Sequence, residues 1–233
     1  MYTLLLRTAH KPHYHDIMRL HIVRHGQTDW NAARRIQGQL DSELDDTGKQ
    51  QAADRGSDFT DMNLLAVYSS SSVRTRQTTQ LVLGSRTDNV TYRDELREVT
   101  LGIWEGQYWA DIEEQFPEIV DAHAKGLPSF KIEGAENSDE VQRRGSSAIE
   151  AIIAAHSDAA VHDNILIVSH GAIMKTILAY YLNVALTNLH TLPQLPNCAH
   201  CIIEVNGLDR VVHTIASTPF ANTAWAEAPR MGA

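Results

Sequence analysis

The chain has 233 residues, of which 43% are hydrophobic and 21% are charged, a composition typical of one globular domain with a sizeable core. Its formal net charge of -9 argues against broad nucleic-acid binding, which needs a basic face to neutralise phosphates. No segment has the apolar length of a membrane-spanning helix or the pattern of a signal peptide, so we expect a cytoplasmic protein that does not bind membranes. A transit peptide in the first residues is left open.

The predicted elements follow an N-terminal appendage, residues 1–17, whose His10, His13 and His15 we interpret as part of a polar tail, not as metal ligands. From residue 18 onward, β-branched and apolar runs alternate with helical patterns. The predicted strands cover 19–26, 63–69, 89–92, 164–170, 201–205 and 210–216. The predicted helices cover 47–59, 69–83, 138–155 and 172–182.

This alternation predicts an α/β fold, a three-layer α/β/α sandwich with a mostly parallel central sheet of about six strands. Residues 18–217 are predicted to form the single domain. The segment near 97–137 interrupts the alternation with a helical, aromatic-rich stretch, which we interpret as a small lid insertion. Residues 218–233 are predicted to form a C-terminal tail with little order.

Three predicted strands end in residues that suit a ligand site. The strand ends carry Arg-His-Gly at 24–26, Ser-Ser at 69–70 and Ser-His-Gly at 169–171, and the helix after 69–70 carries Arg74 and Arg76. Ligands of open α/β sheets bind outside the carboxyl ends of the strands. We therefore expect these segments to converge on one site.

Phosphoryl transfer needs fixed positive charge around the phosphate oxygens, a nucleophile in line with the leaving oxygen, and a proton donor for that oxygen. Arginine binds phosphate bidentately, neutral imidazole is a covalent nucleophile, and a carboxylic acid can protonate the leaving group. The sequence offers all of these parts, without a metal or a cofactor, in Arg24, His25, Arg74, Glu98 and His170.

The only two cysteines, Cys198 and Cys201, form a Cys-x-x-Cys motif around His200. A single such pair is weak evidence for a metal site, which usually needs a second pair of ligands, and a redox motif of this kind should open a helix. Here the motif leads into a predicted strand. We interpret the cysteines as two reduced thiols.

Five motifs in order resemble those of the histidine phosphatase superfamily, the phosphoglycerate-mutase-like proteins. They are LHIVRHGQTDWNAARRIQG, VYSSSSVRTRQT, LREVTLGIWEG, GAENSDEVQRR and IVSHGAIMK. The resemblance covers nearly all of the chain from Met18 to about Ala216. It implies the α/β fold and an enzyme that works through a phosphohistidine.

The resemblance also implies a role for each matching residue. His25 would be the phosphorylated nucleophile, and Arg24, Arg74 and His170 would hold the phosphoryl oxygens. Glu98, in LREVTLGIWEG, would be the general acid and then the base that activates water.

A second group of matching residues would bind the phosphate or the substrate. Asn31 and the Gly171 backbone N–H would each donate a hydrogen bond, and Thr28 would lie near the phosphate. Gln37 and Gly38 would lie beside the substrate.

Several of these assignments have alternatives. Glu95 and Glu105 are close enough in sequence to Glu98 to compete for the general-acid role. Trp104 and Tyr108 are equally compatible with the mouth of a pocket and with a hydrophobic core.

Three functions compete: a phosphatase with water as acceptor, a cofactor-dependent phosphoglycerate mutase, and a non-catalytic protein that binds a phosphate ligand. Mutases of the family carry a longer, basic insertion between Glu98 and His170, whereas segment 113–134 here is acidic with only Lys125 and Lys131 as cations. We therefore expect a phosphatase of broad specificity that hydrolyses a small phosphorylated metabolite, a phosphomonoester. A homodimer is left open.

Overall fold

A computed structural model describes residues 17–124, 131–157, 163–228 and 231. Its strands in these ranges are β1 (Ile17–Arg24), β2 (Leu64–Ser70), β3 (Val90–Arg93), β4 (Asn164–Ser169), β5 (His200–Asn206), β6 (Asp209–Ile215) and β7 (Thr218–Pro219). Its α-helices are α1 (Asp29–Ala32), α2 (Asp46–Gly56), α3 (Val73–Leu83), α4 (Trp109–Gln115), α5 (Pro117–Ala124), α6 (Ser138–Ala155) and α7 (Gly171–Tyr181). The predicted N-terminal appendage lies outside the described residues except for Ile17, which begins β1.

The sheet has a parallel part and an antiparallel part. Its strand order is β3-β2-β4-β1-β5-β6-β7, and β1 to β4 are parallel, which confirms the predicted α/β fold with a parallel central sheet. The strands from β5 onward are added antiparallel. Only Gly207 and Leu208 connect β5 to β6, and so short a link cannot join parallel strands, which need a crossover of about a dozen residues.

Helices cover both faces of the sheet. Helix α2 contacts α3 on one face, and α6 contacts α7 on the other. Strand β4 contributes side chains to the apolar core on each face of the sheet, because successive side chains of a strand point to opposite faces. Ile165 and Ile167 pack with residues of α6 and α7, whereas Leu166 and Val168 pack with residues of α2 and α3. This burial on both faces explains why the β4 sequence is a continuous apolar run.

Helix α6 forms over the predicted range 138–155. Asn137 caps its first turn by accepting a hydrogen bond from the Glu140 backbone N–H, and the Glu140 carboxylate accepts one from Asn137 N. Apolar residues at helical spacing, among them Ile149 and Ile152, then face the core. None of the helices in the described ranges is long and apolar enough to cross a membrane.

The segment predicted as a lid contains the short helices α4 and α5. Trp104 is only 2% exposed and packs with Ile112 and Ile132 in a small apolar cluster, so it belongs to a core and not to a pocket mouth. Tyr108 is half exposed. Residues 125–130 of this segment lie outside the described residues.

The C-terminal tail is more ordered than its composition suggests. Trp225 is 2% exposed and belongs to the core cluster that α6 and α7 also line, and Phe220 packs against the same cluster. The expectation of little order was therefore wrong for residues 218–228. A polar, alanine-rich stretch gives no periodic signal, but burying one tryptophan contributes about 2 kcal/mol or more towards docking it.

The two cysteines lie on opposite sides of the sheet. Cys198 packs in the core next to α2 and α3, and Cys201 packs in the core next to α6 and α7. Burial raises the pKa of each thiol to about 11, so both are protonated at neutral pH. The described part of the chain contains no cluster of three or more metal-binding side chains.

A buried histidine pair links β1 to β5. His21 Nδ1 lies 2.9 Å from His200 Nε2, and His21 Nε2 lies 3.0 Å from the side-chain oxygen of Asn164. His200 Nδ1 lies 3.3 Å from the carboxylate of Asp58. Burial lowers the pKa of both histidines, and that of His200 falls from 6.5 to about 4. Both rings are therefore neutral in the folded protein at neutral pH.

We expect this pair to make the fold sensitive to acid. The unfolded chain protonates at His200 near pH 6.5 and the folded chain only near pH 4, so the unfolded state binds more protons between these values. The free energy of unfolding should fall as the pH falls through this window. In His200→Gln the slope of the free energy of unfolding against pH should be smaller by about 1.4 kcal/mol per pH unit.

Urea titrations at several pH values between 4 and 7 measure this slope. The control is His213→Gln, since His213 is exposed on β6. Equal slopes for the wild type and His200→Gln would contradict the prediction.

Candidate active site

The candidate site lies at the carboxyl ends of β1, β2 and β4. In the parallel register of β1 and β4, Arg24 is opposite Ser169, so His25 and His170 leave the sheet side by side. Their ring centroids are 5.3 Å apart at an interplanar angle of 61°. Ser70, at the end of β2, contacts His170. The structure thus brings together the three strand ends that the sequence singled out.

His25 is held in a single tautomer. Its Nδ1 lies 2.7 Å from the carbonyl oxygen of Gly26, and because a carbonyl only accepts, Nδ1 carries the proton and Nε2 carries the lone pair. The ring is 3% exposed. Burial and then the charges of Arg74 and Arg24 lower the pKa of His25 well below its usual range. The result is a neutral imidazole with Nε2 available as a nucleophile.

The backbone around His25 is fixed from three sides. Its N–H donates to Ser169 O at 3.0 Å, and its carbonyl accepts from Cys198 N and from the side chain of Asn197, both at 3.2 Å. Gly26 follows in a space that admits no side chain, because a Cβ there would lie 2.5 Å from the carbonyl oxygen of Gly48. His25 therefore sits on backbone that is held firmly in place.

Arg74 and His170 orient each other. Arg74 is 1% exposed, and its Nε donates to His170 Nδ1 at 3.2 Å, while its Nη1 and Nη2 donate to the carbonyls of Leu40 and Gly38 at 2.8 and 2.7 Å. Because His170 Nδ1 accepts, Nε2 carries the proton, which it donates to Ser70 Oγ at 2.8 Å. Burial lowers the pKa of Arg74 to about 10, so it remains charged at neutral pH.

Arg24 reaches the site from the end of β1. One of its terminal nitrogens donates to the carbonyl of Leu195. Its Nε is buried and has no hydrogen-bond partner among the described residues. A Cβ on Gly171 would lie 3.1 Å from this Nε, so the glycine leaves room for the guanidinium beside the start of α7. Arg24 thus brings an unused donor to the pocket.

Glu98 lies at the N-terminus of α7. Its Oε2 accepts from Ala172 N at 3.1 Å, and its Oε1 accepts from Ile173 N at 3.0 Å. A carboxylate is favoured at this end of a helix by the free N–H groups and the helix dipole. Burial lowers the pKa of both Arg24 and Arg74, and the Glu98 charge opposes that shift in each. The carboxylate is therefore close to both guanidinium groups.

The two competing carboxylates have other contacts. Glu95 is exposed, 3.7 Å from Arg93 Nε. Glu105 accepts from the backbone N–H groups of Gln39 and Leu101 at 3.0 and 2.9 Å, so it holds two loops together. Among the three glutamates, the geometry favours Glu98 as the acid of the site.

Thr28 and Asn31 form the cap of α1. Thr28 is fully buried and accepts from Asn31 N at 3.1 Å, and the Asn31 side-chain oxygen accepts from Thr28 N at 3.2 Å. The same oxygen lies 3.3 Å from the Asn197 side-chain amide. The Asn31 NH₂ group is left as the donor that could reach a phosphate. For Thr28 the structure shows a capping role.

Gln37 and Gly38 belong to the loop that Arg74 binds. Gln37 is buried and accepts from Ser42 Oγ at 2.7 Å. Gly38 has φ +53° and presents its carbonyl to Arg74. Their predicted place beside the substrate remains a prediction.

Sequence reasoning missed Asn197 and Arg97, and it singled out Ser70 at a strand end without pairing it with His170. Asn197 contacts both His25 and Asn31 from the loop before β5. It lies 172 residues from His25 in the sequence, and no local pattern predicts so distant a contact. Ser70 ends a predicted strand, but nothing in the sequence paired it with His170. Arg97 stands directly before Glu98 in the LRE motif, where its position was a usable signal.

A neutral imidazole beside two guanidinium groups at the carboxyl edge of a parallel sheet suits an enzyme of the phosphatase or phosphomutase type. Comparison with known families agrees with this class. The family model described as "Histidine phosphatase superfamily (branch 1)" matches residues 20–218, and the chain belongs to that superfamily.

Individual relatives extend over most of the chain. The broad-specificity phosphatase YOR283W of Saccharomyces cerevisiae is 36% identical over 183 residues, which are 74% of this chain and 76% of that protein. The probable phosphoglycerate mutase GpmB of Erwinia tasmaniensis is 29% identical over 209 residues, 90% of each chain. The solved structure of Bacillus stearothermophilus YhfR superposes with a TM-score of 0.78 at 32% identity, covering 84% of this chain and 95% of that one.

We predict that the site binds inorganic phosphate through Arg74. In Arg74→Lys the planar fork that contacts His170 and two carbonyls is lost although the charge is kept, and the Kd for phosphate should rise about 10- to 100-fold. Isothermal titration calorimetry measures this change.

Arg76→Lys is the matched control, since Arg76 is exposed and stacks at 3.9 Å on Tyr92. An Arg74→Lys variant that binds phosphate as tightly as the control would remove Arg74 from the anion site.

Proposed function

We propose that the protein hydrolyses small phosphomonoesters through a phosphohistidine on Nε2 of His25. One observation supports this above all others: the hydrogen bond from His25 Nδ1 to Gly26 O leaves Nε2 unprotonated beside the buried Arg74 and the half-buried Arg24. A neutral imidazole is the form that attacks phosphorus.

In the first step, the Nε2 lone pair attacks phosphorus and the ester P–O bond breaks. Arg24 and Arg74 balance the charge that develops on the phosphoryl oxygens, and the Gly171 N–H and the Asn31 NH₂ group supply further hydrogen bonds. The protonated carboxyl of Glu98 gives its proton to the leaving alkoxide, which departs as the alcohol.

In the second step, a water molecule attacks phosphorus, the N–P bond breaks, and the Glu98 carboxylate takes the proton of the water. Phosphate leaves, and His25 returns to its neutral form. Throughout, His170 keeps Arg74 in place. His170 can contact the phosphoryl group directly only by exchanging its hydrogen bond to Arg74 or to Ser70.

Water is the acceptor that the lid segment favours. A mutase must hold a second phosphate while it turns the substrate over, and this requires cations. The only Lys or Arg residues in segment 113–134 are Lys125 and Lys131, and Lys131 is exposed. We therefore propose a phosphatase of broad specificity, the function that is named for the yeast relative.

Loss of the nucleophile should abolish turnover. His25→Ala should lower kcat for p-nitrophenyl phosphate by about a thousandfold or more, because His170, the other histidine of the site, has both ring nitrogens engaged with Ser70 and Arg74. The wild type should keep its activity in EDTA. Mass spectrometry of rapidly quenched wild type should show a gain of one phosphoryl group, absent in His25→Ala.

His213→Ala, which changes an exposed histidine on β6, serves as control. Retained activity in His25→Ala would refute the nucleophile. Faster phosphoryl transfer from 2,3-bisphosphoglycerate to 3-phosphoglycerate than to water would make the mutase the correct description.

Loss of the acid should depend on the leaving group. Glu98→Gln cannot donate a proton, which matters for an alkoxide and much less for nitrophenolate. We expect kcat/KM to fall about a hundredfold or more for glycerol 3-phosphate and about tenfold or less for p-nitrophenyl phosphate.

Glu95→Gln is the matched control, because Glu95 is exposed and competes for the same role. Equal losses on the two substrates in Glu98→Gln would move the acid role to another residue.

A further inference from the structure

Arg97 is a third guanidinium group at the site, and the mechanism above does not use it. Its Nη2 donates to the Gln39 carbonyl at 2.7 Å. Its Nε is buried and makes no hydrogen bond to any described residue. A buried guanidinium N–H without a partner is costly, so such a group points to a ligand that completes it.

Arg97 and Arg74 bind the same loop from neighbouring positions. Arg74 donates to the carbonyls of Gly38 and Leu40, and Arg97 donates to the carbonyl between them. The charge of Arg97 also lowers the pKa of Arg74 and of His170, after the larger effect of burial. Arg97 is therefore within electrostatic range of the phosphate pocket.

No carboxylate neutralises Arg97 within the described residues. Other partly buried arginines have such partners, for example Arg144 with Glu136 at 2.8 Å and Arg86 with Asp88 at 2.7 Å. The adjacent Glu98 carboxylate is directed at the backbone of α7. With Glu98 protonated, as the first step of the proposed mechanism requires, Arg24 and Arg74 already match a phosphate dianion, so Arg97 adds one further positive charge.

We propose that Arg97 is a specificity-determining residue that binds a carboxylate of the substrate, next to the phosphoryl group. The inference rests on the proposed function and names its substrate class, phosphate esters of small carboxylic acids. One surplus guanidinium matches the single charge of a carboxylate, whereas a second phosphate would need more cations than the pocket offers.

The competing role is purely structural. The hydrogen bond to Gln39 could serve only to hold the loop on which Arg74 depends, and in that case Arg97 would affect every substrate equally. The bond to Gln39 does not account for the unpartnered Nε. The two roles therefore separate on substrates that differ only in the carboxylate.

A matched pair of esters provides the test. 3-Phosphoglycerate and glycerol 3-phosphate differ in a carboxylate that is replaced by a hydroxymethyl group. In Arg97→Gln, which keeps a donor for the Gln39 carbonyl, kcat/KM should fall about 10- to 100-fold for 3-phosphoglycerate and less than about threefold for glycerol 3-phosphate. Arg97→Lys should show a smaller loss of the same kind.

Arg76→Gln removes the same charge from an exposed position near the site and should leave the ratio of the two substrates unchanged. Equal losses on both esters in Arg97→Gln would assign Arg97 to the loop and overturn the proposal. No loss on either ester would overturn it as well.

A binding measurement separates this proposal from the proposed function. Calorimetric Kd values for the two esters are compared in His25→Ala and in His25→Ala/Arg97→Gln, neither of which should turn over substrate. A preference for 3-phosphoglycerate that disappears with Arg97 supports the carboxylate site even if the wild type hydrolyses neither ester. A preference that stays unchanged, or no binding of either ester, overturns it.

Discussion

The chemistry of this site depends on the hydrogen bond between His25 Nδ1 and the carbonyl of Gly26. An imidazole can present either nitrogen, and it loses its nucleophile when both are protonated. The Gly26 carbonyl places the proton on Nδ1, and burial beside two guanidinium groups keeps Nε2 unprotonated. Both conditions come from the polypeptide alone, and they hold before any substrate arrives.

The surroundings of that ring carry an imbalance of charge. Arg24, Arg74 and Arg97 bring three positive charges to the site, against the carboxylates of Glu98 and Asp41, and all three arginines have buried polar atoms. Such an arrangement costs stability unless an anion is present. Two large apolar cores stabilise the fold against this cost, and an anion bound at the site would relieve the imbalance.

The sequence predicted the parts of this molecule that depend on local patterns. Apolar runs located the parallel strands, and His-Gly at two strand ends located the site, because parallel strands place their carboxyl ends at one edge. The antiparallel pairing of β5 and β6 and the docking of Trp225 depend on contacts that a local pattern does not encode. The same holds for Asn197, which reaches His25 from a distant loop.

The site residues differ in how far the sequence could place them. His25, Arg24 and His170 adjoin strands, so the sheet fixes their positions. Glu98 follows a short turn, and the sequence could not distinguish it from Glu95 or Glu105 until the amides of α7 were seen to bind it. Arg97 was overlooked although it stands directly before Glu98, because the lack of a hydrogen-bond partner for its Nε among the described residues is visible only in the structure.

The contact between Gly26 and Gly48 has a consequence for how this protein can vary. Gly48 lies in the first turn of α2, where helix propensity alone would favour alanine over glycine. A methyl group there would lie 1.9 Å from the carbonyl oxygen of Gln27 and would push the helix away from the loop that follows His25. Two positions twenty-two residues apart are thus both restricted to glycine, and the loop after His25 limits which mutations this helix tolerates.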